Sequence, residues 1–350
     1  MTGYERTREI RHTVGPAGEV VVHSIAANVT VRAVAGDEAR AILRYALRSP
    51  DDAAAQRIED AFDSAVIRGP GRLEVSSVER AIAGDLPSAI ANGTLGAVAR
   101  ALRLAWSASM ELQIDVPAGT RVAVETVSGR VSATGLTATQ RYRTVSGALR
   151  ISDGQGDVWV DTTSGATMLE SPGRIRLEWH AVSGDLRARA ATVAGMRLDS
   201  LSGDAWVEAA LVPDGEYRAK TVSGDLRLAP DGGLVAEVRT ISGGVRSEMP
   251  HRLEGASGRR VLVVGDGGPR VRFESMSGGL AVVRPGVRPD TAPAEPPQAA
   301  VPPASEPPQA SGPTGGAAAP EDQLAILRAV ERGEIDVDEA MRRLGARSHA

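Results

Sequence analysis

The chain contains no cysteine, and only 3 % of its 350 residues are aromatic, with two phenylalanines among them. Without cysteine there is no disulfide framework, no thiol nucleophile and no cysteine-ligated zinc. A hydrophobic content of 42 % is still enough for a core. Because Val, Leu, Ile and Ala supply most of that content, the composition favours thin stacked layers over a bulky aromatic sandwich.

A basic excess is also lacking, since the formal net charge is −4. The sequence therefore predicts no nucleic-acid partner. The five histidines are scattered and form no His-Glu-x-x-His pair, so no metal and no cofactor are expected. The first residues, 1–11, are polar and charged, unlike a signal peptide or a membrane span. The expected location is the cytoplasm, with the inner face of the membrane as an alternative.

A Ser-Gly pair recurs about every 19 residues through the middle of the chain, from Gly129 to Gly278. A fixed period of this length is typical of repeat architectures. The last interval is nearly two periods long, and we expect residues 252–268 within it to be a loop insertion. The repeat glycines are Gly129, Gly147, Gly165, Gly184, Gly203, Gly224, Gly243 and Gly278.

The columns two before, two after and four after each glycine are mainly apolar, which is the period of a strand with one buried face. Residues seven and five before, such as Val122 and Val124, are apolar as well. The step from five to two is odd, so a bend must lie between two short strands. One such unit cannot fold alone and has to stack on its neighbours. The predicted fold is mainly β, a β-solenoid (β-helix) of coils of about 19 residues. The column two before the glycine is expected inside; it comprises Val127, Val145, Thr163, Val182, Leu201, Val222, Ile241 and Met276.

Composition predicts four parts of the chain. They are residues 1–120, an N-terminal β segment of the solenoid with helical insertions at about 50–63 and 86–106; 121–284, the repeats; 285–320, a disordered linker rich in Pro and Ala; and 321–345, a small helical hairpin. Ser49 is predicted to cap the first insertion, with Pro50 at its first helical position.

The second insertion, residues 86–106, has apolar residues at helical spacing, and two interpretations are open. It is either an interfacial helix that rests on a membrane or a cap over the open end of the repeat stack. The candidate membrane face is Leu95, Val98, Leu102 and Trp106.

The C-terminal hairpin has a stop residue, Gly333, and a capping box, Asp336 with Glu339. About 25 residues cannot bury an apolar face internally. We therefore expect self-association or a protein partner at this face. Its residues are Leu324, Leu327, Val330, Met341 and Leu344.

The unit Thr-Val-Ser-Gly-Asp-Leu, seen in full at residues 221–226, resembles the bacterial putative-adhesin family, a domain of unknown function built from β-strand repeats. The resemblance covers roughly residues 20–283. Residues 327–340 are similar to the SHOCT-like hairpin often found in the same proteins. The resemblance implies a non-enzymatic β-solenoid, and some relatives are linked to cell-envelope stress.

Charged residues accompany the repeat glycines. They are Asp185, Asp204 and Asp225, one position after, and Arg150, Arg187, Arg227 and Arg246, three positions after. We expect these acids and bases to pair in an exposed ladder, although a carbohydrate or cation site is also open. The expected function is a scaffold or binding protein. The alternative is a polysaccharide-active β-helix enzyme, which needs two carboxylates about 5–10 Å apart in a groove.

Overall fold

The computed structural model describes residues 4–47, 51–83, 109–256 and 259–286, and they form a β-solenoid. The predicted fold class is confirmed. All of these residues belong to one compact unit, 1–289. The predicted helix at 86–106 and the hairpin at 321–345 lie outside the described residues, so both stay predictions.

The described elements alternate short strands with turns, and two helices occur near the start. In chain order they are β1 (Tyr4–Thr13), β2 (Glu19–Ser24), β3 (Asn28–Val34), β4 (Glu38–Leu47), α1 (Asp52–Ala65), β5 (Val66–Gly69), β6 (Arg72–Val75), α2 (Val78–Ala83), β7 (Ser109–Pro117), β8 (Arg121–Thr126), β9 (Val131–Thr134), β10 (Gln140–Thr144), β11 (Leu149–Ser152), β12 (Gly156–Ser164), β13 (Thr167–Ser183), β14 (Leu186–Ser202), β15 (Ala205–Leu211), β16 (Tyr217–Ser223), β17 (Leu226–Pro230), β18 (Leu234–Thr240), β19 (Val245–Ser247), β20 (His251–Ala256), β21 (Arg259–Val264), β22 (Arg270–Ser275) and β23 (Leu280–Val282).

The strands stack in two rows that meet at the Ser-Gly corner. Row 1 contains the strands before the corner, in the order β5, β6, β2, β8, β10, β12, β13, β14, β16, β22, β18, β21, β20. Row 2 contains the strands after it, in the order β1, β4, β7, β3, β9, β11, β13, β14, β15, β17, β23, β19. β13 and β14 bend through both rows. Pairing between coils is parallel, and antiparallel pairs occur only at the two ends.

The core lies between the rows and is filled by alternate side chains of each strand. In the coil of Gly129, Val122, Val124 and Thr126 point inward before the corner, and Val131 and Ala133 do so after it. Two consecutive residues at the corner point outward. The column two before the glycine is therefore exposed, and the prediction that it is buried was wrong. The inward series reaches the corner three residues before the glycine, at a Thr or Ser in seven of the eight coils and at Ala181 in the other.

The Thr hydroxyl stabilises the corner. The amide of Gly147 donates to Oγ1 of Thr144 at 2.9 Å, and the amide of Gly243 donates to Oγ1 of Thr240 at 2.8 Å. The glycine itself packs against the coil below. At all eight repeat glycines a Cβ would lie well inside 3.0 Å of a carbonyl oxygen of the neighbouring coil, a distance that real Cβ atoms do not show. No other residue fits this column inside the stack.

The stacking order departs from the chain order near the C-terminal end of the solenoid. Phe273 in β22 pairs with Ala219 on one side and with Val238 on the other. The coil of β22 and β23 is thus inserted in the stack between the coil of β16 and β17 and the coil of β18 and β19, both of which precede it in the sequence. The loop expected at 252–268 is not observed, since residues 251–256 and 259–264 form the paired strands β20 and β21. β21 also pairs antiparallel with β18, and the two strands cover that end of row 1.

The opposite end is closed by the first coil, β2 and β3, and by the helices. α1 begins at Asp52, and Asp51 rather than Ser49 is its N-cap, since the Asp51 side chain accepts the amide of Ala54 at 2.9 Å. Ile58 and Phe62 of α1 are fully buried. Among the described residues, no helix is long and apolar enough to cross a bilayer.

Glu79 of α2 closes the corner column at this end. Its buried carboxylate accepts the amides of Ala26 and Ala27 at 3.0 and 2.8 Å. Burial alone would raise the pKa of Glu79, but the hydrogen bonds from these amides, its own amide and Ser77 outweigh burial and lower that pKa. Ala27 stands in the glycine column, and among the described residues Glu79 rather than a further coil lies against it, so a Cβ fits.

Candidate binding surface

An apolar stripe runs along the corner of the solenoid on its outer surface. Its members range from 38 % exposed at Ile25 to 79 % exposed at Ile241. At about 4.8 Å per coil, nine coils carry the stripe over roughly 38 Å. In stacking order the stripe is Ile25, Val127, Val145, Thr163, Val182, Leu201, Val222, Met276 and Ile241. An apolar column of this length on a surface is a candidate contact site.

A charge ladder runs beside the stripe, two residues earlier in each coil and on the same outer face. In stacking order it is His23, Glu125, Arg143, Asp161, His180, Asp199, Lys220, Glu274 and Arg239. Basic and acidic side chains alternate at every step. In chain order Lys220 and Arg239 would be neighbours, and the inserted coil separates them with Glu274.

Ion pairs connect most steps of the ladder. His23 lies 3.2 Å from Glu125, and Arg143 lies 3.4 and 3.3 Å from Glu125 and Asp161. Beyond them, a second set joins His180 to Asp199 at 3.4 Å and Glu274 to Lys220 and Arg239 at 3.4 and 3.8 Å. Because each charge already has a partner of opposite sign, the ladder gives the face a fixed pattern and little net charge.

A groove of about 1000 Å³ lies between the stripe and the ladder over six coils. Its walls extend from Asp161 to Arg239 in stacking order, and its apolar side includes Leu201 and Met276. The side chain of Thr162 lines it, is 2 % exposed, and has a buried Oγ1 with no hydrogen-bond partner among the described residues. The apolar wall and the alternating charges suit contact with another macromolecule better than a small polar ligand.

Three carboxylates of the ladder line the groove: Asp161, Asp199 and Glu274. Neighbours in this set are two coils, roughly 10 Å, apart, and a basic residue stands between them at each step. Asp199 is bonded to both His180 and Arg197, the latter at 3.0 Å. A pair of carboxylates that face each other across a sugar is the arrangement of a glycosidase, and the groove instead places an ion-paired base at the midpoint. Binding is therefore the better-supported use of this surface.

The acids after the repeat glycines do not form the expected ladder with arginine. Asp185 and Asp204 each accept the backbone amide of the residue one coil further on, at 3.0 and 2.9 Å, and Asp225 accepts that of Gly279 at 2.8 Å. Within the residues that the structure covers, only Arg150 of the four arginines has an ion pair, with Glu170 at 3.6 Å. The unpaired amide beside each corner attracts the carboxylate more directly than an exposed guanidinium does.

The predicted association face on residues 324–344 and the predicted membrane face on 95–106 lie outside the described residues. Among the residues that are described, no group of three or more His, Cys, Asp or Glu could hold a metal ion. The stripe itself is the surface that sequence reasoning misplaced, since it contains the column predicted to be buried.

Residues 97–230 match the family model Toastrack DUF4097. This match confirms the expected resemblance to a repeat domain of unknown function for that part of the chain. Among solved structures, the chain is similar to a "putative cell adhesion protein" from Clostridium sporogenes, with 9 % identity, a TM-score of 0.23, and coverage of 80 % of this chain and 100 % of that one. The search of curated proteins found no match.

Proposed function

We propose that the solenoid is a non-enzymatic scaffold that binds a protein through the apolar stripe. The observation that carries the proposal is the exposure of the stripe, which continues through the inserted coil where Met276 lies between Val222 and Ile241. Burial of an exposed Val or Leu side chain contributes about 1.5–3 kcal/mol when it is complete. Three or four such side chains are enough to anchor a protein partner, and the ladder beside them supplies a polar rim.

Photo-crosslinking in the cells that produce the protein tests this proposal. A benzophenone amino acid replaces Leu201 in one variant and Val222, one coil further along the stripe, in a second. Arg187, which is exposed on row 2 outside the groove, is the control position. We expect the same adduct from both stripe positions and none from the control. Equal adducts at all three positions, or no adduct at the stripe, contradict the proposal.

We also propose that residues 321–345 add a second association element and that the protein acts at the inner face of the cell envelope. The support is the sequence alone: an apolar face on a segment too short to bury it, and the resemblance to relatives linked to envelope stress. The two association elements can be tested separately, because a substitution in the stripe does not alter residues 321–345.

A further inference from the structure

The alternation of the charge ladder gives the groove face a form of self-complementarity. Every coil carries one ladder residue, and basic and acidic types alternate through all nine coils, with histidine as the basic type in two of them. Coils an odd number of steps apart therefore carry one residue of each type. Two copies of the face can match each other wherever their coils are paired in that way.

A two-fold axis perpendicular to the solenoid produces this pairing. When two copies face each other about such an axis, they run antiparallel, and each column lies opposite the same column of the partner. If the axis passes between two coils, all facing coils are an odd number of steps apart, and opposite charges meet. A two-fold axis along the solenoid would instead place the ladder of one copy opposite the serines of the Ser-Gly pairs of the other. The ladder charges of the two copies would then not meet.

The groove fixes the register. It spans six coils, and its midpoint falls between the coils of Asp199 and Lys220. An axis at this midpoint places Asp199 opposite Lys220 of the other copy. The next facing pairs are His180 with Glu274 and Asp161 with Arg239. Asp199 with Lys220 and Asp161 with Arg239 are opposite in charge, and the third pair places an imidazole opposite a carboxylate.

We infer that the occupant of the stripe is a second copy of this chain, docked antiparallel through the groove with the two-fold axis between the coils of Asp199 and Lys220. The inference rests on the proposed function. In this register the apolar contacts are Leu201 with Val222, Val182 with Met276 and Thr163 with Ile241. The partner therefore covers the most exposed member of the stripe, Ile241.

The contact is narrow, so the dimer exchanges rapidly. Two residues before the ladder, Arg197 and Arg218 occupy the central coils of the groove, and in this register they face each other across the dimer. The next facing pair of this column, Glu178 with Arg272, is opposite in sign, so the column adds no consistent attraction beyond the stripe and the ladder. The interface is therefore at the small end for specific complexes, and two dimer species in one solution reach equilibrium within the time of an experiment.

A charge-swap experiment on the full chain tests both the dimer and its register. Lys220→Glu places an acid opposite Asp199 of the partner, and Asp199→Lys places a base opposite Lys220, so each variant repels itself at two symmetric contacts. An equimolar mixture of the two variants restores both pairs as opposite charges. Arg187→Glu is the matched control, a reversal of the same sign on row 2 outside the groove. Sedimentation velocity over a concentration series measures the association, and circular dichroism checks the fold of each variant.

We expect the dissociation constant to rise about tenfold or more in each single variant, to return to within about threefold of the original in the mixture, and to stay unchanged in the control. A wild-type chain that shows no concentration-dependent association, or single variants that dimerise as it does, overturns the inference. A mixture that stays monomeric overturns the register and with it the antiparallel dimer. If stripe-specific crosslinks form only to a different protein, the proposed function stands and the second copy is excluded.

Discussion

Replacement of Gly224 by alanine should destabilise the solenoid far more than its single methyl group suggests. The glycine lies in the middle of the stack, with the carbonyl oxygen of Gly203 on one side and Gly278 on the other. A Cβ at Gly224 would lie well inside 3.0 Å of that oxygen, and the oxygen and carbon of Gly203 that it would meet are backbone atoms. Neither a rotamer change nor a side-chain shift relieves this contact, so the two coils have to separate by about 1 Å.

The loss of stability follows from the hydrogen bonds that this separation breaks. The amide of Ala205 donates to the carbonyl of Asp225 at 2.9 Å, and the amide of Asp225 donates to Oδ1 of Asp204 at 2.9 Å. A displacement of about 1 Å takes both bonds beyond normal hydrogen-bond length. With about 0.5–1.5 kcal/mol for each bond and about 1–3 kcal/mol of packing strain, Gly224→Ala should lower the free energy of unfolding by about 2–6 kcal/mol.

Denaturant unfolding followed by circular dichroism measures this loss, and Gly232→Ala is the control. Gly232 lies in the turn after β17, with nothing within 4 Å of the position of a Cβ. The control should stay within about 0.5 kcal/mol of the original protein, as other surface substitutions do. If the two alanine variants unfold at the same denaturant concentration, the glycine column has no steric role and the reasoning fails.

Two further predictions concern one end of the coil stack and the C-terminal residues. Glu79→Gln should destabilise the protein by about 1.5–3 kcal/mol at neutral pH, because the carboxylate accepts the amides of Ala26 and Ala27. Since the pKa of Glu79 is lowered in the folded state, its contribution is present above the unfolded pKa and is lost as pH falls through the folded pKa. Urea unfolding of both proteins at neutral pH and below about pH 4 should show the difference shrink in acid, and a difference independent of pH would contradict the assignment. Truncation after Arg284 should leave the thermal melt unchanged and reduce the association measured by light scattering; a truncated chain that unfolds would make the C-terminal residues structural instead.

The period of the glycines was sufficient to predict the solenoid, because each coil repeats the same physical requirements. A close backbone approach needs glycine, and inward positions need apolar side chains at spacing two. The local start of α1 was misplaced by two residues because Ser49, Asp51 and Asp52 all satisfy the preferences of a helix N-terminus. Only the geometry shows that the Asp51 side chain accepts the amide of Ala54.

The stripe could not be placed from hydrophobicity alone. Val222 and Leu226 are both apolar and lie on either side of Gly224, yet one is exposed and the other buried. The deciding residue is Thr221, whose counterparts Thr144 and Thr240 point inward and accept the glycine amide. A column that is Thr or Ser in seven of the eight coils, with Ala181 as the exception, stands immediately before the apolar column and was the available signal that the inward series ends there.

The order of the last coils could have been found from the charge ladder. Read along the chain, Lys220 is followed by Arg239 and then by Glu274, so two bases would lie about 4.8 Å apart. Placing the coil of Glu274 between them restores alternation, and the structure shows this arrangement, with Lys220 and Arg239 both paired to Glu274. Like charges directly opposite on adjacent strands are unfavourable, so the ladder penalises the sequential stack.

Folding of the corner does not require an apolar residue at the stripe position. Three of the four corner positions have structural partners. The glycine packs on the coil below in every coil, and in four of the eight coils a Thr or Ser hydroxyl accepts the glycine amide. The serine hydroxyl of the Ser-Gly pair binds a carbonyl of the neighbouring coil in four coils, as Ser146 does with Val127 at 3.2 Å. The stripe position has none of these tasks, and Thr163 occupies it without disturbing the coil. Strand propensity would account for the valines, but not for Leu201 and Met276, which are unbranched at Cβ and 52 % and 55 % exposed. A column of which eight of nine members are apolar, without a shared shape or role in the corner, is what the proposed contact with another surface requires.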